Sequence, residues 1–135
     1  MNKRRIDEMI PSAYEAIAND LAVDGKIDKA YRGAISSFGA AIIMGSILSA
    51  AAYYNETDTS DKKNPGEIVD KNKVSVVLLN TLKKSEFGAG ITENTLYEYV
   101  VRCCREGEGS RIKCRELICD TAVAVKLAMN LFTLT

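Results

Sequence analysis

The chain carries 21 consecutive residues without a charge, AISSFGAAIIMGSILSAAAYY at positions 34–54 of 135. Such a run is long enough to cross a bilayer as one helix. Six Ala, four Ser and two Gly make it only mildly hydrophobic, however, and a helix that is apolar nearly all round is also typical of the centre of a helical bundle. We therefore expect one long central helix from Lys29 to Tyr54, and no association with a membrane.

Small residues recur at every fourth position along this helix, at Gly33, Ser37, Ala41, Gly45 and Ser49. Because each step of four residues advances by ~40° around the axis, the stripe winds slowly along the helix. Small side chains let neighbouring backbones approach closely. The stripe predicts close helix contacts, either with the first and fifth helices of the same chain or with a second copy in a dimer or filament.

The segment before the central helix shows the helical spacing of three and four residues between apolar positions, from residue 6 to residue 21. Pro11 predicts a kink without ending this first helix, because proline removes a backbone donor and clashes with the preceding turn. Asp24 and Gly25 should end the helix, since glycine adopts the left-handed conformation of a helix C-terminus without strain. Asp28 should then cap the central helix.

A polar segment at residues 55–66 follows the central helix and predicts an exposed loop. A third helix should span Glu67 to Lys84, although its β-branched valines make a strand the competing interpretation. Thr92 should cap a fourth helix that runs through Arg105, and Ser110 should cap the fifth. The sequence therefore predicts a single all-α domain over residues 1–135, a bundle of five to six helices around the long central one.

The chain contains no histidine, which excludes Ser-His-Asp and Cys-His nucleophile arrangements and zinc sites of the HExxH type. Its four cysteines, Cys103, Cys104, Cys114 and Cys119, lack the paired C-x₂₋₄-C spacing of structural zinc sites and are expected to be small core residues. No glycine-rich phosphate loop is present either. We expect no catalytic residue, no metal and no cofactor. Because the chain has four cysteines and no recognisable signal peptide, we expect it to be located in the reducing cytoplasm.

Two groups of basic residues are the candidate binding surfaces of a chain with 18 basic and 18 acidic residues. Because the net charge is zero, no long-range field draws the whole molecule toward a polyanion, and phosphate would be bound locally. The alternative is that these charges only solvate helix ends. The candidate RNA-binding residues are Lys26, Lys29 and Arg32 in one group, and Arg102, Arg105, Arg111 and Arg115, beside Lys113, in the other.

The run YRGAISSFGAAI at positions 31–42 resembles the central helix of a known family, the Cmr small subunits of type III-B CRISPR effector complexes. The sequences IPSAY at positions 10–14 and AAAYY at positions 50–54 are also similar to that family. The likeness covers residues 6–54, and the C-terminal half matches in the size and order of its helices. One departure is GSIL at positions 45–48, where the family often has Gly-Leu-Leu.

This resemblance implies a non-catalytic, all-helical subunit that acts in antiviral defence. Its partners would be other Cmr subunits, neighbouring copies of itself, crRNA and target RNA. Stacking along the complex and holding RNA by its backbone would require basic residues on one face and no active site. The competing hypothesis is a helical adaptor that contacts only proteins. A third hypothesis, a metal-dependent nuclease built from helix carboxylates, is the least favoured.

Overall fold

The computed structural model describes residues 1–55 and 69–135, and in these ranges the chain is a helical bundle. The predicted all-α class is therefore confirmed. No helix of the described ranges combines the length and the apolar character that a membrane span requires. The helices are α1 (Lys3–Asp20), α2 (Ala30–Met44), α3 (Ile47–Tyr53), α4 (Lys71–Lys84), α5 (Leu96–Arg105) and α6 (Glu108–Met129), with a 3-10 helix at Glu86–Gly88.

Two short strands join the beginning of α2 to the end of the chain. Strand β1 (Lys26–Ile27) and strand β2 (Thr133–Leu134) pair in parallel, with Lys26 opposite Thr133. The backbone N–H of Thr135 also donates to the carbonyl oxygen of Ile27 at 2.9 Å. The residues just after α6 are thereby held beside the residues just before α2.

The helix at the centre of the bundle is α6, which is 22 residues long and packs against α1, α2, α4 and α5. It buries apolar residues on several sides, from Cys114 and Ile118 to Val125 and Met129. The first helix, α1, lies against α4 and α6 and continues through Pro11 without a break. Because each fully buried large apolar side chain stabilises the fold by about 1.5–3 kcal/mol, this shared core holds the helices together.

The prediction of one long central helix from Lys29 to Tyr54 is wrong, since the chain turns at Gly45 and Ser46 and divides into α2 and α3. The Ser46 hydroxyl accepts a hydrogen bond from the Ser49 backbone N–H at 3.0 Å, and the Ser49 hydroxyl accepts one from the Ser46 N–H at 3.0 Å. This reciprocal pair is a capping box, which starts a new helix. Ser49, which the stripe of small residues predicted to pack against another helix, thus helps to start α3.

The ends of the other helices also differ from the predictions. Helix α1 ends at Asp20, and Asp24 and Gly25 form a turn beyond it with φ angles of 54° and 74°. Asp28 was predicted to cap α2, and the N-cap lies one residue later, at Lys29, while the Asp28 carboxylate accepts a hydrogen bond from the Ala30 N–H at 2.8 Å. Thr92 caps no helix, since Thr95 begins α5 by accepting from the Glu98 N–H at 3.1 Å.

The start of α6 lies earlier than predicted, because Gly107, with a φ of 113°, makes the turn after α5. Ser110 is inside the helix, and its hydroxyl donates to the Glu106 carboxylate at 3.3 Å. The valines of the third predicted helix are helical in α4, which begins after Asp70 as its cap. Residues 56–66 of the loop predicted at 55–66 lie outside the described residues, as does the predicted helix start at Glu67.

Candidate nucleic-acid and protein interfaces

The two basic groups lie at opposite ends of α6. Lys26 is opposite Thr133, just after the helix ends, whereas Arg111 lies in its first turn. Helix α6 extends 18 residues from Arg111 to Met129, which at 1.5 Å per residue is about 27 Å. The seven candidate residues therefore form two separate surfaces, which must be judged one at a time.

Arg102, in the group at the start of α6, is bound within the protein. Its guanidinium donates to both carboxylate oxygens of Glu93 at 3.0 and 3.1 Å, to Glu106 at 3.2 Å and to the Gly90 carbonyl oxygen at 3.2 Å. The Arg102 hydrogen bonds lower the pKa of Glu93, and the same partners raise the pKa of Arg102. Because its donors are used in connecting α5 to the preceding loop, Arg102 is a structural residue.

Carboxylates neutralise part of the positive charge of this group. Arg111 forms an ion pair with Glu108, which lowers the pKa of that carboxyl group. Glu93, which lies nine residues before Arg102 in the sequence, adds a carboxylate to this group through its hydrogen bonds to Arg102. Arg105 and Arg115 are exposed and form no ion pair with any residue of the described ranges. They are the two candidates of this group that remain available to a ligand.

The group at the start of α2 is different, because none of its three cations forms an ion pair with another described residue. Lys26 and Lys29 are exposed, and Arg32 is half-buried. The first turn of α2 contains no acidic residue. The positive end of the helix dipole lies at the same place, where the Asp28 carboxylate, just before the helix, accepts from the Ala30 N–H.

Lys126 of α6 joins this group in space. Its ammonium donates to the Ser36 hydroxyl at 2.6 Å, and that hydroxyl in turn donates to the Arg32 carbonyl oxygen at 3.3 Å. No local pattern in the sequence indicates this, because Lys126 is 90 residues from Ser36 and the antiparallel packing of α2 on α6 brings them together. We call Lys26, Lys29, Arg32 and Lys126 the α2 basic patch.

The stripe of small residues faces outward. Gly33, Ser37, Gly45 and Ser49 are exposed and Ala41 is half-buried, so the hypothesis that the stripe packs within the chain is wrong. A methyl group added at Gly33 would meet no atom within 4 Å. The buried face of α2 is instead formed by Tyr31, Ile35, Phe38 and Ile42.

Large apolar side chains continue this outward surface toward α3. Met44 is 88% exposed, Ile43 72% and Tyr53 63%, and Leu48 is also exposed. The Lys71 ammonium lies 4.2 Å from the centre of the Tyr53 ring. We call the exposed side of α2 and α3, from Gly33 to Tyr53, the outer face. It contains no charged residue between positions 34 and 54.

Cys103 and Cys114 are buried core residues of α5 and α6, as predicted, whereas Cys104 and Cys119 are only half-buried at the edge of the core. Burial raises the pKa of the Cys114 thiol and so keeps it protonated. Tyr99, Arg102 and both thiols line an open cavity of about 480 Å³. In the described residues, no three acidic or cysteine side chains are close enough to hold a metal ion.

Comparison of the chain with known protein families, with curated proteins and with solved structures finds no match.

Proposed function

We propose that this chain is a non-catalytic small subunit of an RNA-targeting, cytoplasmic type III-B CRISPR (Cmr) ribonucleoprotein complex. In this function it stacks beside other Cmr subunits and copies of itself, and holds crRNA or target RNA through the sugar–phosphate backbone in antiviral defence. The observation that carries the proposal is the α2 basic patch, whose four cations form no ion pair among the described residues. The patch also adjoins the run that resembles the Cmr family.

The surroundings of the patch suit a phosphate backbone. Next to Lys29 and Arg32 lie Gly33 and Ser37, which are exposed and have little or no side chain, so a ligand can approach the helix closely. Lysine and arginine contacts of this kind neutralise phosphates and release counterions, and they do not read the base sequence. We therefore expect binding that is independent of RNA sequence and sensitive to salt.

The seven candidate RNA-binding residues predicted from the sequence differ in whether a carboxylate already binds them. Arg102 and Arg111 have carboxylate partners of their own, so a phosphate would have to compete with Glu93 or Glu108. Arg105 and Arg115 lack such partners in the described residues and form a secondary candidate surface. The proposal assigns the main RNA contact to the α2 basic patch.

The test is to purify the tagged chain from its own cells with the proteins and RNA that accompany it. The complex is irradiated, and the peptides joined to nucleotides are identified by mass spectrometry. We expect other Cmr subunits, crRNA, and crosslinks in the peptides that contain Arg32 and Lys126. The variant Lys29→Ala, Arg32→Ala and Lys126→Ala should lose most of these crosslinks while still assembling.

A matched control removes three positive charges elsewhere, by Lys73→Ala, Lys83→Ala and Lys84→Ala on α4, where all three side chains are exposed. This control should crosslink as the wild type does. Equal loss in both variants would show that only net charge matters and would contradict the assignment to the patch.

A helical adaptor that binds only proteins is the second candidate function. The observation that favours it is the outer face, where four large apolar side chains are exposed. In the same purification, stable partner proteins without any RNA would support the adaptor and refute the RNA-binding proposal.

A further inference from the structure

Two of the four cysteines form a pair in the core between α5 and α6. Cys103 is 5% exposed and Cys114 is 2% exposed, and both are free thiols. Hydrogen bonding with the Cys103 thiol is one of the causes that raise the pKa of Cys114, after burial. The Cys103 thiol is in the same way a hydrogen-bond partner of the Tyr99 side chain. The two thiols therefore belong to one buried cluster, together with Tyr99.

An open cavity of about 480 Å³ gives small molecules access to this pair. Both cysteines line the cavity, together with Tyr99 and Arg102. A structural cysteine that is sealed in a core is inert. Here, by contrast, the volume is many times the ~30 Å³ that a water molecule occupies, so it admits a molecule with two oxygen atoms. The cavity also leaves room for the two side chains to move as their sulfur atoms approach.

The packing of the two helices selects this pair among the cysteines. Helix α5 ends at Arg105 and α6 begins at Glu108, so the two helices form a hairpin and pack against each other. Cys103 is on the buried side of α5, and Cys114 is on the buried side of α6. Cys104 is the next residue of α5 and therefore lies about 100° further around that helix. A disulfide requires side chains that point toward each other, and this pair meets the requirement.

We propose that Cys103 and Cys114 are a redox-sensitive pair that hydrogen peroxide converts into a disulfide between α5 and α6. Cys103, the more exposed of the two, reacts first. Its thiolate attacks one peroxide oxygen, the O–O bond breaks, and hydroxide leaves as a sulfenic acid forms. The Cys114 sulfur then attacks the Cys103 sulfur, so that the S–O bond breaks and the S–S bond forms. The Cys114 proton leaves with the hydroxyl group as water. Two thiols are thus oxidised, and one peroxide is reduced to two molecules of water.

The state of Cys114 fits its role as the second thiol. Its raised pKa keeps it protonated, and a protonated thiol is a poor nucleophile toward peroxide. Cys114 therefore does not compete for the first step, and it supplies the proton of the water that leaves in the second. Thiol–disulfide exchange with a reducing dithiol reverses the crosslink. RNA has no part in this inference, which is independent of the proposed function.

The first experiment treats the folded whole chain with hydrogen peroxide, alkylates the remaining thiols in urea and measures the mass. The variant with Cys104→Ser and Cys119→Ser keeps only the proposed pair. Its mass should fall by about 2 Da, with no alkyl group added, and dithiothreitol should restore two alkylatable thiols. The matched control, Cys103→Ser with Cys114→Ser, keeps the two half-buried cysteines and should form no disulfide within the chain. Two alkylated thiols in the first variant, or equal disulfide formation in the control, would overturn the proposal.

A second experiment tests the order of the two steps in the variant that already lacks Cys104 and Cys119. Adding Cys114→Ser removes the second thiol, so Cys103 should accumulate as a sulfenic acid that dimedone labels. Adding Cys103→Ser should reduce this labelling at least tenfold. Both variants are compared after circular dichroism has shown that they keep the helical content of the wild type. Equal labelling of the two, or stronger labelling of Cys114, would contradict the assigned order.

Discussion

The two faces of α2 belong to the same 15 residues but differ in almost every property. The inner face is closed by the other helices, and Phe38 on it has no exposed surface and meets the Tyr54 ring edge-on at 5.2 Å. The exposed side of α2 likewise contributes no charged residue of its own after position 33, yet it is open, with Gly33 near one end and Met44 at the other. A run without charge therefore favours an apolar neighbour on each side, and that neighbour need not come from the same chain.

The largest effect is expected on the inner face. Replacing Phe38→Ala removes a ring that is fully buried, and substitutions of this kind lower the free energy of unfolding by about 3–5 kcal/mol. Thermal and urea unfolding followed by circular dichroism measure the change. The matched substitution Ile43→Ala, on the outer face, should change the stability of the monomer by less than about 0.5 kcal/mol. Similar destabilisation of the two variants would remove the distinction between the faces.

A smaller effect is expected at the corner between α2 and α3. A Cβ atom at Gly45 would lie 3.0 Å from the Ser49 hydroxyl oxygen and 3.1 Å from the Ala41 carbonyl oxygen, so a side chain there disturbs the start of α3. Gly45→Leu should lower the free energy of unfolding by about 1–3 kcal/mol, as other overpacked positions do. An unchanged urea midpoint would show that the corner adapts without cost.

A substitution at Gly33 should change the free energy of unfolding in the opposite direction. It lies inside α2 with open space around it, so Gly33→Ala should raise the free energy of unfolding by about 0.5–1 kcal/mol through helix propensity alone. The measurement is again urea unfolding, at a concentration where the chain is monomeric. A decrease in stability would mean that this part of the outer face is occupied within the chain.

The smallest effect concerns acid stability at the other end of the molecule. Arg102 lowers the pKa of Glu93 below its ordinary value of 4.5, so this pair stabilises the fold above that pH and the stabilisation disappears as the pH falls through the lowered pKa. Glu93→Gln should remove part of the decline in melting temperature between pH 5 and pH 3, a range that lies around the ordinary pKa of glutamate. An identical decline in wild type and variant would contradict this role of Arg102.

The helical class could be predicted from the sequence because apolar spacing is a local property of the chain. The buried positions of Cys103 and Cys114 followed from the same local patterns, and so did the location of the start of α2 within one residue of Asp28. The break at Gly45 and Ser46 was missed because the small stripe and the capping box use the same residue types, and only the hydrogen bonds between Ser46 and Ser49 distinguish them.

The candidate site depended on tertiary contacts, which no local pattern reveals. Lys126 belongs to the α2 basic patch through its hydrogen bond to Ser36. In the other group, Arg102 is hydrogen-bonded to Glu93, nine residues before it, and its donors are therefore occupied. The sequence therefore indicated both groups as candidates without distinguishing between them. In the folded protein, Arg102 and Arg111 of one group have carboxylate partners, whereas the cations of the α2 basic patch form no ion pair with a described residue.

The central claim is that RNA contacts the α2 basic patch and not the group at the start of α6. It is tested most directly by the salt dependence of RNA binding to the assembled complex, with two variants of equal charge reduction. One carries Lys29→Ala, Arg32→Ala and Lys126→Ala, and the other carries Arg105→Ala, Lys113→Ala and Arg115→Ala. The first should reduce the slope of log K against log salt by about 0.7 for each phosphate of a single strand that is no longer neutralised, equally for all RNA sequences, and the second should leave it unchanged. The reverse result, or an unaltered slope in both variants, would contradict the claim.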